Sequence, residues 1–499
     1  MTVRRVMGTE TEYAVSAPAV SHANPVQLSF DVIGAAAGPE RSRIRWDYRQ
    51  EDPVNDARGT RLERAAARPD MLTDEPQLNI VNVIAPNGGR MYVDHAHPEY
   101  SAPETTDPFE AVRYDHAGDL LMRRAAASAS AGTGHDIVLH RNNVDGKGAS
   151  WGTHENYMML RSVPFDTVAA LMTAHFVSRQ IYAGSGRVGI GERSETAGYQ
   201  LSQRADYIHA ILGLQTTFER PIVNTRDESH SPSDYRRLHV IVGDANRMDV
   251  PQTLKLGATS MLLWLAEHAD ETGYDLAALL DSMALVDPVS AMHTVSHDLT
   301  LQAELPLRDG GVTNAWIMQV RLRAAVYEMG ALVYGTDTRG EPLWPDKPTT
   351  GIMALWGQAL ADVAAIRHAD DDTRLNMQPE ASRVEWLMKW QLLERLRRRH
   401  GLSWNDPKLR AIDLGWAALD PVRSIFEKVR SRTERTVDDR QVADAAGNAP
   451  QTTRAWLRAA VVNRYASQVV AVSWSHLTVR RHDAPQTGEE SYGLSLIHI

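Results

Sequence analysis

The segment Met7-Gly8-Thr9-Glu10-Thr11-Glu12-Tyr13 decides how this chain is read. Its pattern predicts a β-strand, and in a strand residues two apart project from the same face, so Glu10 and Glu12 stand side by side. Neighbouring carboxylates repel and call for a cation. On this segment alone, a solvated strand face with two exposed glutamates is the simpler reading.

A second segment changes the balance. In Arg90-Met91-Tyr92-Val93-Asp94 the same periodicity puts Arg90, Tyr92 and Asp94 on one face and turns Met91 and Val93 toward a core. His95-Ala96-His97-Pro98-Glu99-Tyr100 follows, with Glu104 beyond. Carboxylates and a tyrosine oxygen are hard donors suited to Mg²⁺, and an arginine beside them suits a phosphate. An Arg–Asp cross-strand pair under a loop is the structural alternative.

Two histidines extend the set. His154 and Asn156 share a face in Gly152-Thr153-His154-Glu155-Asn156-Tyr157. In Arg237-Leu238-His239-Val240-Ile241-Val242 the apolar residues Leu238, Val240 and Val242 leave Arg237 and His239 on the other side. A single strand histidine is usually a hydrogen-bonded structural residue, but two of them beside two acidic strands favour ligation by at least one. The H-E-x-x-H pattern of zinc peptidases is absent, because no histidine stands four residues after His154. Arg204 and Arg226 are candidate clamps for a phosphate or carboxylate, or halves of surface ion pairs.

Around these segments the chain reads as α+β. Short strand patterns (residues 4–15, 78–85, 89–95, 137–142 and 154–161) alternate with helical ones (107–131 and 164–183), and the pattern from about 251 to 400 is almost wholly helical. A composition shift near Asp420 suggests a catalytic domain over 1–424 and a small C-terminal domain over 425–499. The latter holds a polar stretch (433–451), a helix (453–467) and a strand (469–479). Residues 36–76, rich in arginine and acids and poor in apolar residues, read as a flexible insert loop. The last residues, 489–499, read as a terminal strand or an added tail. The basic group Arg395, Arg397, Arg398, Arg399 and His400 sits at a helix C-terminus, where the dipole stabilises cations.

Composition excludes several chemistries. The 499 residues contain no cysteine, which removes thiol nucleophiles, disulfides and thiolate metal sites and fits a reducing compartment. With 53 Lys+Arg against 63 Asp+Glu, the net charge of −10 offers no general attraction to nucleic acid. The N-terminus lacks the apolar core of a signal peptide and no apolar run approaches bilayer length, so a cytoplasmic protein without a membrane partner is expected. Gly184-Ser185-Gly186-Arg187-Val188-Gly189 fits G-x-G-x-x-G but follows a helix, so a dinucleotide site is not expected. There is no Walker A sequence and no G-x-S-x-G elbow.

The acidic and histidine segments, together with Leu201-Ser202-Gln203-Arg204-Ala205-Asp206, Asn224-Thr225-Arg226-Asp227-Glu228 and the run from Tyr235 to Asp244, resemble the Pup ligase and depupylase family. These blocks fall in order between Met7 and Asp244; the helical half matches more loosely. The resemblance implies a glutamine synthetase-like fold: a curved antiparallel sheet that cradles ATP and Mg²⁺, backed by helices, with a small C-terminal domain. By position it implies Glu10, Tyr92 and Glu99 as Mg²⁺ ligands, joined by Glu12, His154 and His239. It further implies Arg90 as an ATP phosphate contact, Trp474 as a nucleotide contact and Asp94 as the essential aspartate, acting as nucleophile or as general base toward water. One branch of the family ligates the prokaryotic ubiquitin-like protein Pup to lysines. The other removes Pup and deamidates its C-terminal glutamine, with ATP as a cofactor. The insert at 36–76 resembles the loop of the second branch, so depupylase and deamidase is the expected activity and ATP-consuming ligase the alternative. Pup is acidic and disordered, and Arg204, Arg226 and Arg237 are candidates for ordering it and pupylated proteins on binding.

Overall fold

The computed structural model describes residues 3–63, 82–228, 230–480 and 489–495. The Glu-x-Glu segment forms strand β1 (Met7–Glu12). Helix α1 (Pro25–Arg41) and strand β2 (Arg45–Trp46) follow, then β3 (Asn82–Ile84), β4 (Arg90–Asp94), β5 (His97–Ser101), helix α2 (Pro108–Thr133), β6 (Thr153–Leu160) and β7 (Tyr235–Val240). Six of these strands make one sheet in the order β7-β6-β1-β5-β4-β3, with every neighbouring pair antiparallel. This is the α+β fold expected, a sheet backed by helices.

The two faces of β1 explain why it lies mid-sheet. Thr9 and Thr11 turn toward α2, where both hydroxyls donate to Asp115 Oδ1 (3.0 and 3.3 Å), and the Tyr13 hydroxyl donates to Asp119 Oδ1 (2.8 Å). Arg141, fully buried, pairs with both aspartates. Asp107 caps α2 by accepting from the Phe109 and Glu110 amides, with Pro108 in the first turn, as the sequence suggests. Behind the sheet, Met91, Tyr100 and Ala102 pack with Leu28, Val32 and Ile33 of α1 and Ala117, Leu121 and Met122 of α2.

Further on, α3 (Asp249–Thr272), α4 (Ala315–Tyr334) and α5 (Lys347–His368) carry the main apolar core, with Trp264, Met318, Leu322 and Trp356 fully buried. Contrary to the expectation that no apolar run approaches bilayer length, α5 has 22 residues and an apolar window of mean hydropathy 1.2, long and apolar enough by composition to cross a bilayer. One side of it, through Ile352, Trp356, Val363 and Ile366, is buried in the helical core.

Near the C-terminus, α6 (Ala455–Tyr465) precedes β8 (Val469–Val472), β9 (His476–Arg480) and β10 (Glu489–Gly493). Their sheet runs β10-β9-β8-β2, so Arg45–Trp46 extends it in parallel to β8. The segment read as an irregular insert from residue 36 is therefore ordered as far as 63: it contains the end of α1, strand β2 and a turn of 3₁₀ helix at Tyr48–Gln50. Buried Ile44, Trp46 and Val54 anchor it, a sparse apolar set that the surrounding charges hid from composition. Residues 64–76 lie outside the described residues. The polar stretch 433–451 also contains a helix, Asp439–Gly447, started by an Asp438/Gln441 capping box and buried only through Ala445 and Ala446. Of the chain end, 489–493 is a strand and 496–499 lies outside the described residues.

Gly118 shows how closely α2 lies on the sheet, since a Cβ there would fall 2.1 Å from Tyr100 Cδ1. Gly118→Ala is expected to lower the melting temperature despite alanine's better helix propensity, by about 1–3 kcal/mol of overpacking. A raised melting temperature by calorimetry would show that Tyr100 gives way freely.

Candidate active site

Register across the sheet assembles the site. In one row Glu12 faces Glu99, which faces Tyr92 and then Asn82; in the next, His154 faces Glu10, Ser101 and Arg90. His239 faces Asn156 one row further. Two groups of donors result, Glu10–His154–His239 and Glu12–Asp94–Glu99, each with its ligand atoms within 4.8 Å of one another. His154 lies between them, its Nδ1 3.2 Å from Glu10 Oε2 and its Nε2 3.9 Å from Glu12 Oε1.

Electrostatics in this cradle are uneven. Burial and the charges of Asp94, Glu12 and Glu10 push the pKa of Glu99 well above the ordinary carboxylate range. Burial also raises Glu10, but its bond to His154 and the charge of Arg237 outweigh that and hold it low. Asp94 likewise stays low, because His95 Nδ1 lies 3.0 Å from its Oδ1 and offsets the desolvation. Burial and the Arg237 charge push His239 well below its ordinary value, so its ring is neutral. Burial and the neighbouring glutamates keep the Tyr92 phenol protonated. Four carboxylates, a phenol and two imidazoles converging in this way form a donor set that fits a divalent cation, with the Glu12–Asp94–Glu99 group all oxygen and therefore hard.

Arg90 is fixed on three sides. Its guanidinium carbon lies 4.0 Å from the Trp46 ring centre and 4.0 Å from that of Tyr92, and Nε donates to Asn82 Oδ1 (2.7 Å). Trp46 also meets Trp474 edge to face at 5.2 Å. Trp474 is held in turn by Arg458, which donates to its carbonyl (3.0 Å) and lies 4.9 Å from its ring centre. Glu104 binds both Arg458 and Arg454, and this buried cluster ties the C-terminal segment to the main sheet.

The cradle opens into two cavities. One of about 200 Å³ contains Glu10, Arg90, Tyr92, Glu99, His154, Arg226, Arg237, His239 and Trp474, and an apolar slot walled by Gly8, Ala102, Met158 and Trp474 adjoins it. The other, about 150 Å³, lies between Glu12, Trp151, Arg204 and Arg220. Asp94, His95 and His154 border both. Every residue that the family resemblance assigns to the site thus lies at the cradle or its two cavities, but Arg204 is on the far side from Arg226 and Arg237. Arg204 is 1% exposed and donates to Ser150 Oγ and to the carbonyls of Trp151 and Ile241. Burial and the neighbouring Arg220 lower its pKa to about 9.

Sequence reasoning did not find Trp46, Tyr48, Asn156 or Arg220. Asn156 was noticed only as a neighbour of His154, and Trp46-Asp47-Tyr48 was the one aromatic signal inside an arginine-rich stretch.

The Pup-ligase protein family matches residues 5–478, and the chain belongs to that family. It is 41% identical over 480 residues to the Pup deamidase/depupylase of Mycolicibacterium smegmatis, covering 95% of this chain and 91% of that one. It is 40% identical to the depupylase of Acidothermus cellulolyticus (95% and 90% covered) and 35% identical to the Pup–protein ligase of Micrococcus luteus (96% and 93%). The crystal structure of the complex between Pup and its ligase PafA superimposes with a TM-score of 0.75 at 26% identity, over 99% of this chain and 88% of that one. The structure of PafA in complex with ADP gives 0.69 at 28% identity, over 83% and 86%. The fold is therefore the glutamine synthetase-like cradle of this family.

The Glu104 cluster gives a pH signature. Burial raises the Glu104 pKa, but Arg458 and Arg454 outweigh it and bring it from an ordinary 4.5 down to about 2. Its stabilisation is therefore full above pH 4.5 and is lost as pH falls through about 2. Glu104→Gln is expected to cost roughly 3–5 kcal/mol at neutral pH by leaving two buried guanidiniums unpaired. Thermal melts across acid pH should show the gap to the parent closing; a gap that stays constant would contradict the pairing.

Proposed function

We propose that this protein is a Pup deamidase and depupylase, a hydrolase of the isopeptide bond between the C-terminal glutamate side chain of Pup and a substrate lysine, and of the side-chain amide of a C-terminal glutamine of Pup. The observation that carries the reading is Asp94, a low-pKa carboxylate standing between two cavities, in a chain 40–41% identical to proteins named for this activity and 31–35% identical to those named Pup–protein ligases.

The first cavity suits ATP. Its apolar slot beside Trp474 accepts a base, and Arg90, Arg226 and Arg237 face the space for phosphates. Glu10, His154 and His239 on one side, and Glu12, Glu99 and Tyr92 on the other, would hold Mg²⁺, which when bound would supply positive charge to neutralise the phosphates and to polarise the scissile carbonyl. The second cavity suits the glutamyl end of Pup, its carboxylates facing Arg220 and the buried charge of Arg204.

Between them Asp94 is within reach of a carbonyl lodged at the junction. It acts there as nucleophile or as general base toward water; in either case water oxygen ends on the carbonyl carbon, the C–N bond breaks and the amine leaves with a proton. His95, bonded to Asp94 and bordering both cavities, keeps that carboxylate ionised.

The test is a gel assay of a Pup-conjugated protein with Mg²⁺ and ATP, followed in parallel for ADP. Loss of conjugate without stoichiometric ADP supports the hydrolase; ADP released in step with new conjugates from glutamate-ended Pup would establish a ligase instead. Asp94→Asn should lower turnover by about 10²-fold or more while ATP still binds. Wild-type turnover in that variant would remove Asp94 from the chemistry. Trp46→Ala, by releasing one face of Arg90, is expected to raise the KM for ATP on the order of tenfold with little change in kcat; an unchanged KM would show that the stacked aromatic does not orient Arg90.

A further inference from the structure

Asn156 lies on β6 between two strands, cross-strand from Gly8 on β1 and from His239 on β7. Its amide spans three functional side chains. Nδ2 donates to Glu10 Oε1 (3.0 Å), and Oδ1 accepts from Arg237 Nη1 (3.2 Å) and meets His239 Nδ1 at 2.9 Å. The orientation of this amide is fixed by its partners. Reversed, it would set its NH₂ against a guanidinium and its oxygen against a carboxylate, losing the bonds to Arg237 and Glu10.

A carbonyl oxygen only accepts, so the proton of the neutral His239 ring must sit on Nδ1. That leaves the lone pair on Nε2. Asn156 therefore selects one tautomer of His239 and, through its NH₂, holds one oxygen of Glu10 while His154 engages the other. We propose that Asn156 is a positioning residue of the cation site, which sets the affinity of the Glu10–His154–His239 group by presenting His239 through Nε2 and fixing the Glu10 carboxylate. The inference rests on reading that group as a cation site. Metal-bound histidines in general depend on a partner for the second ring nitrogen, and loss of that partner typically weakens metal binding about 10- to 100-fold.

The structural alternative is that Asn156 only knits β1, β6 and β7 together. It predicts lost stability but no selective change in cation binding or in the tautomer, so two readouts besides activity separate the cases. Mn²⁺ binding to the full chain is followed by electron paramagnetic resonance of the free ion, and the His239 tautomer by ¹⁵N imidazole shifts, assigned by difference with His239→Gln. The parent should show a Mn²⁺ site abolished in Glu10→Gln, and an Nδ1-protonated His239. In Asn156→Leu, close in volume and without hydrogen bonds, that site should weaken about 10- to 100-fold and the Nδ1–H signature should give way to a mixture. Should the leucine variant not fold, Asn156→Ser, too short to reach His239, is judged by the same two measurements. Parental Mn²⁺ affinity and an unchanged tautomer in the folded variant would overturn the role of Asn156. A parent without any Mn²⁺ site removed by Glu10→Gln would instead overturn the cation reading on which it depends.

Discussion

Four carboxylates, Glu10, Glu12, Asp94 and Glu99, crowd one face of three adjacent strands, and much of the structure is arranged around their repulsion. Burial makes that repulsion expensive, and the upward shift of Glu99 is its direct expression. Arg237, near Glu10, meets part of the charge, and His154 bridges the two glutamates of β1. What they leave over is a net negative cradle of hard donors, which a divalent cation would neutralise.

Such a face holds its shape only if the strands beneath it cannot shift, because a one-residue slip would turn every ligand to the opposite side. The back of β1 is tied by Thr9, Thr11 and Tyr13 to Asp115 and Asp119, and those carboxylates are held by the buried Arg141. On β6, the residue between His154 and Asn156 is Glu155, which points the other way and pairs with buried Arg179. Polar ladders behind the sheet thus mirror the polar site in front. They are specific in a way that apolar packing is not, since each buried charge has one acceptable partner position.

Much of this was legible in the sequence because strand periodicity is short and unambiguous. Glu-x-Glu, Arg-x-Tyr-x-Asp, His-x-Asn and Arg-x-His each report a shared face, and the structure joins those faces into one. What periodicity does not carry is which strands are neighbours, so the pairing of His239 with Asn156, and the consequence for its tautomer, were hidden. Trp46 was hidden for a different reason. Its strand is two residues long and is completed by β8, more than four hundred residues away in the chain, within a stretch whose composition resembles a loop. Helix α1 was missed for its weak signal, a run of Gly and Ala with a kink at Gly38 and Pro39 inside.

The most direct test of the account is where divalent cations sit. Anomalous diffraction from crystals grown with Mn²⁺ and ADP should give peaks within the Glu10–His154–His239 group and beside Glu12, Glu99 and Tyr92, with Arg90 facing the nucleotide phosphates. Peaks elsewhere, or a cradle holding no cation in a nucleotide-bound crystal, would contradict the claim that the acidic face exists to carry them.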